Sequence, residues 1–466
     1  MSSSSDSVLK TPNLQFKTVT QHPGKYRFIR IPLNNVTGNQ VTLDTVSSTL
    51  LEWKLPAVVY NLSKSLLSYT IDIAGPAAKC NLVFNDVGLE IAQSLTFGQA
   101  SGNNLVDIQN VGNYLSVCRK LDTNPEDYLA GDVTGGLVKA DLTSTNYFPP
   151  SYTGAAGNLF GVATGTVVTG ATGLEPQYCR MAAATTALEV QRCFPLSGVT
   201  GSILSMPQDQ FLGNDNMYLR IMTAPSSKLG YVVTAVTNPV TGAAVLEAQP
   251  VVKNLYLFLA VQRDPLIIES LMSKYASGTL KYTIPFPYTF RNSTVGAGNQ
   301  SIQIQLNSNY GPLLKRMVHS VFPAAETLNS AYDHNNWSGS KISSYQTVLD
   351  SSPLQDAVIN CQQPTAAAPG NVLDDWRENR ASLRRSGVIN NPASYQLNWM
   401  HIDEFAAPSS DPQVPDSQVW DGLDLSLPKS WSMQCVTAAA NYTHYTFAQF
   451  LRPLHITNTG PQFVAA

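Results

Sequence analysis

The side chains in this sequence that could perform acid–base or metal chemistry are a few histidines and carboxylates. The 466-residue chain has six histidines, and His334 is the best acid–base candidate because Asp333 and Asn335 flank it. The same Asp-His-Asn-Asn run is also typical of turns, in which such side chains hydrogen-bond to the local backbone. We favour the turn interpretation for this segment.

The other histidines lack partners at the spacing that metal ligation requires. His401 and Asp403 share a segment with Trp399 and Phe405, which predicts packing at a strand end. His444 and His455 flank the last strand-like run of the chain. We therefore expect no metal site in this sequence.

Asp374 and Asp375 are adjacent acids that could have a catalytic use. They could serve a glycosidase only if they were matched across a cleft. Their segment also carries Arg377 and Arg380, so we interpret it as the solvent-exposed face of a helix with local ion pairs. The basic pair Arg384-Arg385 nearby is too small to hold nucleic acid by itself.

Motifs that support enzyme mechanisms are missing. The sequence has no G-x-S-x-G, no P-loop and no G-x-G-x-x-G, so the nucleophile-elbow and phosphate-cradle mechanisms lack their starting residues. The six cysteines are widely spaced without a C-x-x-C pair, which favours buried reduced thiols over a zinc site. We predict no enzymatic activity and no catalytic, cofactor-binding or metal-binding residues.

The composition points to a protein that hides part of its surface in an assembly. Hydrophobic residues make up 43% of the chain and charged residues 13%, and that charged share is about half the usual one for a soluble domain. A weakly charged surface is a liability for a free monomer and tolerable for a subunit of an assembly. The net charge is -3, and without clustered cations we expect no direct nucleic-acid binding.

The chain has no sequence that predicts a signal peptide or a membrane span. No positively flanked apolar stretch opens it, and no apolar run reaches the roughly 18 residues of a membrane helix. The N-terminal residues 1–15 hold Lys10 as the one side-chain cation, so they are not a basic genome-packing arm. We expect synthesis and folding in the cytosol.

The elements that would position any site are mostly β-strands. Short runs rich in β-branched and aromatic residues recur between Gly, Pro, Asn and Ser clusters, as in Met217 to Met222 and Ser301 to Leu306. This pattern is typical of many-stranded sandwiches or barrels. Two segments predict helices, Pro265 to Tyr275 between the halves and Asn371 to Ser386 as a crossover.

The two halves of the chain resemble each other. Near their starts, Thr49 to Pro56 resembles Thr279 to Pro285. Near their ends, Tyr256-Leu257-Phe258 with Arg263 is matched by Tyr445-Thr446-Phe447 with Arg452, at the same Phe-to-Arg spacing. Repeated motifs in the same order at a domain-like distance predict a duplicated unit.

Together these stretches resemble a known family, the double jelly-roll major capsid proteins of tailless icosahedral double-stranded DNA viruses, whose lineage includes adenovirus hexon, large algal viruses, virophages and polinton-like viruses. The resemblance extends over essentially the whole chain through loose structural motifs. Its residues are Trp53-Lys54-Leu55-Pro56 followed by Asn61 to Ser65, the run from Phe194 to Met206-Pro207 that leads into the Met217 strand, and the Leu314-Lys315-Arg316 strand with Asn329 to Asn336 and Tyr395 to Phe405.

The resemblance implies an all-β fold of two tandem eight-stranded jelly-roll sandwiches. It implies a capsid subunit that forms pseudo-hexameric homotrimers, tiles a virion shell beside neighbouring capsomers, and meets separate penton and minor capsid proteins after assembly inside the host cell. A jelly roll can also be a cupin or a lectin. The histidine spacing does not provide a cupin metal set, whereas the Tyr332 to Trp337 loop keeps a lectin-like or attachment protein as the alternative.

The expected division of the chain follows from the repeats and the two helices. We expect the chain to consist of an N-terminal arm with lead-in strands (1–46), a first jelly roll (47–264), a linker helix (265–276), a second jelly roll (277–457) and a C-terminal tail (458–466). The first jelly roll is the longer one, and its excess falls in residues 122–184, which are dense in Gly, Thr, Ala and Pro. We predict that this segment is a surface insertion that packs on a neighbour.

Overall fold

The architecture is described here from a computed structural model of the chain. The structure describes residues 25–73, 81–85, 89–100, 102–122, 178–181, 188–213, 217–233, 243–245, 249–324, 342–361, 372–383, 399–406, 421–437 and 442–464. Every strand pairing in this part of the chain is antiparallel. The fold is all-β, as predicted.

The first half of the chain contains thirteen strands. They are β1 (Tyr26–Ile31), β2 (Val41–Thr42), β3 (Leu50–Leu55), β4 (Tyr60–Ile73), β5 (Asn81–Asn85), β6 (Ala92–Gln99), β7 (Asn104–Gln109), β8 (Tyr178–Met181), β9 (Leu188–Pro195), β10 (Met217–Thr223), β11 (Gly230–Val233), β12 (Ala243–Val245) and β13 (Val251–Gln262).

Eight of these strands form a sandwich of two four-stranded layers. One layer has the order β1-β13-β4-β9, with the short β2 beside β13, and the other has the order β3-β10-β6-β7. Alternation explains the layering, because successive side chains of a strand point to opposite faces. Along β10 every second residue is buried, and Leu219 is paired with Trp53 on one side and Phe97 on the other. All three are buried in the core.

Connections of this sandwich form a further small sheet of their own. Its order is β12-β11-β5-β8, and its strands come from the segments that link β4 to β6, β7 to β9 and β10 to β13. Strand β8 lies inside the predicted insertion 122–184 and pairs with β5, not with a strand of the sandwich. Residues 123–177 of the insertion lie outside the described residues.

The second half of the chain contains eleven strands. They are β14 (Lys281–Val295), β15 (Gly298–Leu306), β16 (Leu313–Pro323), β17 (Ile342–Leu349), β18 (Ser352–Pro353), β19 (Ile359–Asn360), β20 (His401–Glu404), β21 (Leu423–Asp424), β22 (Lys429–Thr437), β23 (Tyr442–Thr457) and β24 (Gly460–Phe463).

Both halves have the same strand order. In the second half, one layer is β14-β23-β16-β20 and the other is β15-β22-β17, with the short β18 and β19 beside β17. The eight strands of each sandwich can be numbered one to eight in chain order. One layer then contains strands one, eight, three and six, in that order, and the other contains strands two, seven, four and five. This is the Greek-key order of a jelly roll. The chain is therefore a double jelly roll.

Two helices of twelve residues each accompany the sandwiches, α1 (Pro265–Ala276) and α2 (Val372–Leu383). Helix α1 lies between the two halves. It begins after Asp264, whose carboxylate accepts a hydrogen bond from the Leu266 amide, with Pro265 in the first turn. Within the described part of the chain, no helix has the length and apolarity needed to cross a membrane.

The repeat near the ends of the halves is structural, whereas the one near their starts is not. Tyr256 and Tyr445 lie in β13 and β23, the eighth strands of the two sandwiches. The segment Thr49 to Pro56 contains β3, a second strand, while Thr279 to Pro285 opens β14, a first strand. The first strand of the first sandwich is β1, which pairs with β13 although it precedes Ser47. The predicted start at residue 47 is therefore too late.

Candidate functional site

Several residues considered from the sequence lie outside the described residues. These are Asp333, His334 and Asn335, the Tyr332 to Trp337 loop, and the Arg384-Arg385 pair. The turn and lectin interpretations of those segments stay predictions. The described part of the chain instead contains a buried histidine network, a buried ion pair, an interface between the sandwiches and one open sheet face.

The histidine network lies in the core of the second jelly roll. It joins His319 of β16, His401 and Asp403 of β20, and His444 of β23, all of them buried. The His319 ring stacks on Trp431 of the opposite layer, with ring centroids 4.4 Å apart and planes 3° apart. The rings of His401 and His444 lie 5.7 and 5.4 Å from that of His319. The stack thus crosses the sandwich from one sheet to the other.

Asp403 is the acceptor at the centre of this network. Trp431 Nε1 donates to its Oδ2 at 2.8 Å, and the Thr347 hydroxyl donates to its Oδ1 at 3.1 Å. His401 Nε2 lies 3.0 Å from Oδ1, and His319 Nε2 lies 3.4 Å from Oδ2. Burial alone would raise the pKa of this carboxyl, but the charge of His401 and hydrogen bonds from His319 and His401 lower it well below its ordinary value.

The pKa values of His319 and His444 are both lowered. Burial lowers the pKa of His319, although Asp403 opposes the shift. The pKa of His444 is lowered further, by burial and then by repulsion from His319 and His401. His319 Nδ1 shares a 2.8 Å hydrogen bond with the Thr446 hydroxyl. Among the described residues no group of histidine, cysteine and carboxylate side chains has the arrangement of a metal site. We interpret the network as a polar core.

These two histidines predict a loss of stability in mild acid. Below the ordinary histidine pKa of about 6.5, the unfolded chain binds protons that native His319 and His444 exclude. The stability is fully present above that pH and falls as the pH drops toward the lower native pKa values. We expect calorimetry to show a melting temperature of the second jelly roll that falls as the pH is lowered from about 7.5 to 5. This range contains the ordinary histidine pKa of about 6.5. His444→Gln should flatten that slope, and an unchanged slope would contradict the assignment.

Helix α2 is anchored by a second buried network, which corrects the interpretation of Asp375. The Tyr345 hydroxyl donates to Asp375 Oδ1 and Trp399 Nε1 donates to Oδ2, both at 2.8 Å. One turn later, Asn379 accepts the Ile402 amide at 2.8 Å. Asp375 is therefore buried and not solvent-exposed. Asp374 is in the predicted local ion pair, 3.7 Å from Arg377.

The first jelly roll contains a buried ion pair. Arg192 Nε donates to Glu90 Oε1 at 2.6 Å, and both side chains are almost fully excluded from solvent. The Tyr69 hydroxyl donates to the other carboxylate oxygen, Oε2, at 3.0 Å. Because a buried charge without a partner is costly, this triad fixes the connection before β6 against β4 and β9.

Four cysteines, Cys118, Cys193, Cys361 and Cys435, are buried or partly buried free thiols. Burial raises the pKa of the Cys435 thiol to about 11, and it raises that of Cys361 well above its ordinary value. Thiols with raised pKa values are poor nucleophiles, which agrees with the predicted structural role.

The two jelly rolls meet at a polar and aromatic interface. After β7, the first jelly roll continues in the short helical segments Val111–Tyr114, Leu115–Arg119 and Lys120–Asp122. Tyr114 packs edge-on against Phe447 of β23, with centroids 5.6 Å apart. Asp122 accepts a 2.7 Å ion-pair hydrogen bond from Arg316 of β16. A Cβ atom on Gly201 would lie 3.3 Å from the Gln449 side chain, so this glycine permits a close approach.

The contacted surface is the outer side of the β14-β23-β16-β20 layer. We call it the covered face and define it by Val318, Ser320, Tyr445 and Phe447, all of them buried. The same side of the first jelly roll, the outer side of β1-β13-β4-β9, is not covered in this way by any segment that the structure describes. We call it the open face and define it by Phe28, Leu66, Ser68, Tyr256 and Phe258. Phe28 is 52% exposed.

A shallow depression lies on the other layer of the second jelly roll. It has a volume of about 450 Å³ and is lined by β15, β17 and β22 through residues such as Gln300, Ser344, Gln346 and Gln434. Its lining has no charged or aromatic side chain. The lectin alternative rests instead on the Tyr332 to Trp337 loop, which lies outside the described residues.

The chain resembles known proteins in structure but not in sequence. No family model matches the chain, and no curated protein matches it. The structure of PBCV-1 VP54 fitted into a reconstruction of the virophage Sputnik is similar, with a TM-score of 0.50 and 9% identity over 95% of this chain and 96% of that chain. The mavirus major capsid protein has a TM-score of 0.48 and 9% identity over 91% of this chain and 89% of that chain.

The cryo-EM structure of the Sputnik virophage has a TM-score of 0.48 and 13% identity, over 94% of this chain and 88% of that chain. At such identities the likeness to PBCV-1 VP54 shows a shared fold along nearly the whole chain. The double jelly roll that the resemblance implied is thus found in the strand order of this chain and in a solved structure of similar length.

Proposed function

We propose that this protein is a major capsid protein, the structural subunit of a virion shell. The observation that carries the proposal is the repeated strand order of two complete jelly rolls in one chain. Its fold is shared with PBCV-1 VP54 over 95% of this chain, a structure fitted into a virus reconstruction. Rigid antiparallel sandwiches with many long-range pairings suit a building block.

The proposed form of the subunit is a homotrimer with a pseudo-hexameric outline. Three chains bring six similar sandwiches, and a closed ring of six has nearly equal sides that can tile a shell. The open face supports this form, since an exposed apolar surface is typical of an interaction site. Neighbouring trimers, a separate penton protein and minor capsid proteins are the proposed further partners. The proposed location is the virion, after assembly inside the host cell.

The buried histidine network supports a structural role for the second jelly roll. Its hydrogen bonds join Asp403 to Trp431 and Thr347 of the opposite layer and His319 to Thr446, and its members are excluded from solvent. We propose that the protein has no enzymatic activity. We also propose that the insertion 122–184 lies at the outer surface or over the trimer, where its apolar residues Tyr147, Phe148 and Phe160 could pack on a neighbour.

Sedimentation and electron microscopy of the purified full chain test this function. We expect a species of three chains by analytical ultracentrifugation and particles with a hexagonal outline in micrographs. A chain that stays monomeric at all concentrations, or that is retained on a glycan array without assembling, would instead favour the carbohydrate-binding alternative.

A further inference from the structure

Strand β15 (Gly298–Leu306) is a sheet edge without the usual protection against pairing with another chain. Natural sheets protect their edges with charged residues, prolines, bulges, short strands or covering segments. β15 has nine residues, none of them charged and none a proline, and it pairs with β22 without a register shift. We propose that β15 is the docking site for an extended strand formed by residues 13–21 of a second copy of this chain. The proposal rests on the proposed function, because it names a contact between subunits of the shell.

The other edge strands of the described sheets have such protection. Strands β1, β3, β7, β8, β9 and β20 contain charged residues, and β14 and β24 contain prolines. Strands β2, β12, β18, β19 and β21 have three residues or fewer. Among the described edge strands, β15 alone combines this length with neither a charged residue nor a proline.

The equivalent edge of the first jelly roll shows what fits such a strand. β3 is strand two of its sandwich, as β15 is of the second. The Asn34 amide donates to the Glu52 carbonyl at 2.8 Å, and Asn35 Nδ2 donates to the Leu50 carbonyl at 2.7 Å. The Glu52 amide in turn donates to Asn35 Oδ1 at 3.1 Å. An adjacent segment of the chain thus covers the edge of β3 through backbone and amide groups.

The second jelly roll lacks the connection that supplies this cover. Residues 32–49 join β1 to β3, whereas residues 296–297 alone join β14 to β15. In the described part of the chain, no backbone hydrogen bond reaches β15 from a segment other than β22. Unpaired backbone groups along an edge are a template for a further strand. An extended segment from elsewhere can therefore add to this edge.

Residues 13–21 have a sequence that matches β15. This segment lies between Pro12 and Pro23 and is rich in β-branched and aromatic residues, which predicts a strand. It has nine residues, like β15, and Lys17 is its one charged residue. Apolar and polar side chains alternate in its first half, as they do from Ser301 to Leu306.

One antiparallel register brings like side chains of the two strands together. When Phe16 lies opposite Ile304, Leu14 lies opposite Leu306, and both residues of β15 face the core. The polar residues of the segment then lie opposite the exposed glutamines of β15. Cross-strand pairs of this kind stabilise a sheet, and no like charges meet in this register.

The segment comes from a second copy because the same chain is too short to supply it. Lys25 lies beside the start of helix α1, since its carbonyl accepts a hydrogen bond from the Arg263 amide at 3.0 Å. The four peptide units from Gln21 to Lys25 reach at most about 14 Å, whereas α1 alone is about 18 Å long. β15 follows α1 in the chain and belongs to the layer that faces away from the first jelly roll.

Crosslinking of full-length chains with a short bismaleimide tests this contact. A Lys17→Cys chain is co-expressed with a Gln303→Cys chain, since these two residues lie opposite each other in the proposed register. The control replaces Gln303→Cys with Ser352→Cys, because Ser352 is exposed and lies in β18, on the other side of the layer. The unmodified chain, with its six cysteines, gives the background. We expect a product of two chains for the first pair and background levels for the control.

The outcomes separate this proposal from the proposed function. A chain with both Lys17→Cys and Gln303→Cys that is linked only within single chains would show that the segment covers its own β15, and the second-copy assignment would be wrong. A chain that sediments as a trimer without any such link would overturn the docking site and leave the capsid function standing. A chain that stays monomeric and unlinked at all concentrations would overturn both.

Hydrogen exchange provides a test without a substitution in β15. We expect its amides to exchange at least about tenfold more slowly in the full chain than in a variant lacking residues 1–24, because paired amides exchange through local opening. The amides of β3 are the internal control, and circular dichroism verifies that the variant folds. A synthetic peptide of residues 11–24 should restore the protection, whereas the peptide with Phe16→Pro and Thr18→Pro should not, since proline cannot donate to a ladder. Equal exchange of β15 in the full chain and the variant would refute the proposal.

Discussion

Replacing Asp403 with alanine should lower the free energy of unfolding of the second jelly roll by about 3–5 kcal/mol, the usual cost of breaking a buried charged pair. The change removes the acceptor for Trp431 Nε1 and one of two acceptors for the Thr347 hydroxyl, and it leaves His401 without its carboxylate. Buried donors that lose their partner retain the full cost of desolvation. Differential scanning calorimetry of the full chain measures the effect.

Asp374→Ala is the control for that measurement. Asp374 lies on the partly exposed side of α2 and pairs with Arg377 at 3.7 Å. An exposed ion pair of this kind contributes about 1 kcal/mol or less. Equal destabilisation by the two substitutions would mean that the Asp403 network has no special role in the stability of the core.

Replacing Arg192 with alanine should destabilise the first jelly roll by a similar amount, about 3–5 kcal/mol. Glu90 would keep its charge in a site with almost no solvent access, with a hydrogen bond from the neutral Tyr69 hydroxyl. Combining Arg192→Met with Glu90→Gln should recover much of this loss, because the double variant removes both charges and keeps an acceptor for Tyr69. Calorimetry of the single and double variants measures the coupling.

The surface pair of Lys429 and Asp350 provides the comparison. Its nitrogen and oxygen atoms are 2.8 Å apart, but both side chains are partly exposed. We expect Lys429→Ala to cost about 1 kcal/mol or less, since solvent screens such pairs. If Arg192→Ala cost no more than that, burial would not be what makes the Glu90 pair important.

The fold was predictable because its signals are local and repeated. Alternation along β10 and β15 identifies strands without any knowledge of their partners. The Tyr-x-Phe repeat marks equivalent positions in β13 and β23, since both strands lie at the centre of a layer. The starts of the halves misled the alignment, because a strand with an aromatic residue and a final proline can occupy either of two places in a jelly roll.

The buried networks could not be predicted, because they depend on which strands face each other. His319, His401 and His444 lie far apart in the sequence, and only the pairing of β16 with β20 and β23 brings them together. Asp375 looked solvent-exposed because its neighbours are charged. Its partners, Tyr345 and Trp399, lie in other elements. A signal was present in Trp431 and Trp399, since a buried tryptophan needs an acceptor for its ring nitrogen.

The pairing of β1 with β13 also has a consequence for the order of events during synthesis. Tyr26 pairs with Gln262, so the first layer cannot close until nearly the whole first half has left the ribosome. Pairings this distant in sequence are slow to form. Helix α1 follows directly after β13 and separates it from β14. The first sandwich can therefore fold before the strands of the second are synthesised. The equivalent strands of the two halves are then not available for pairing at the same time.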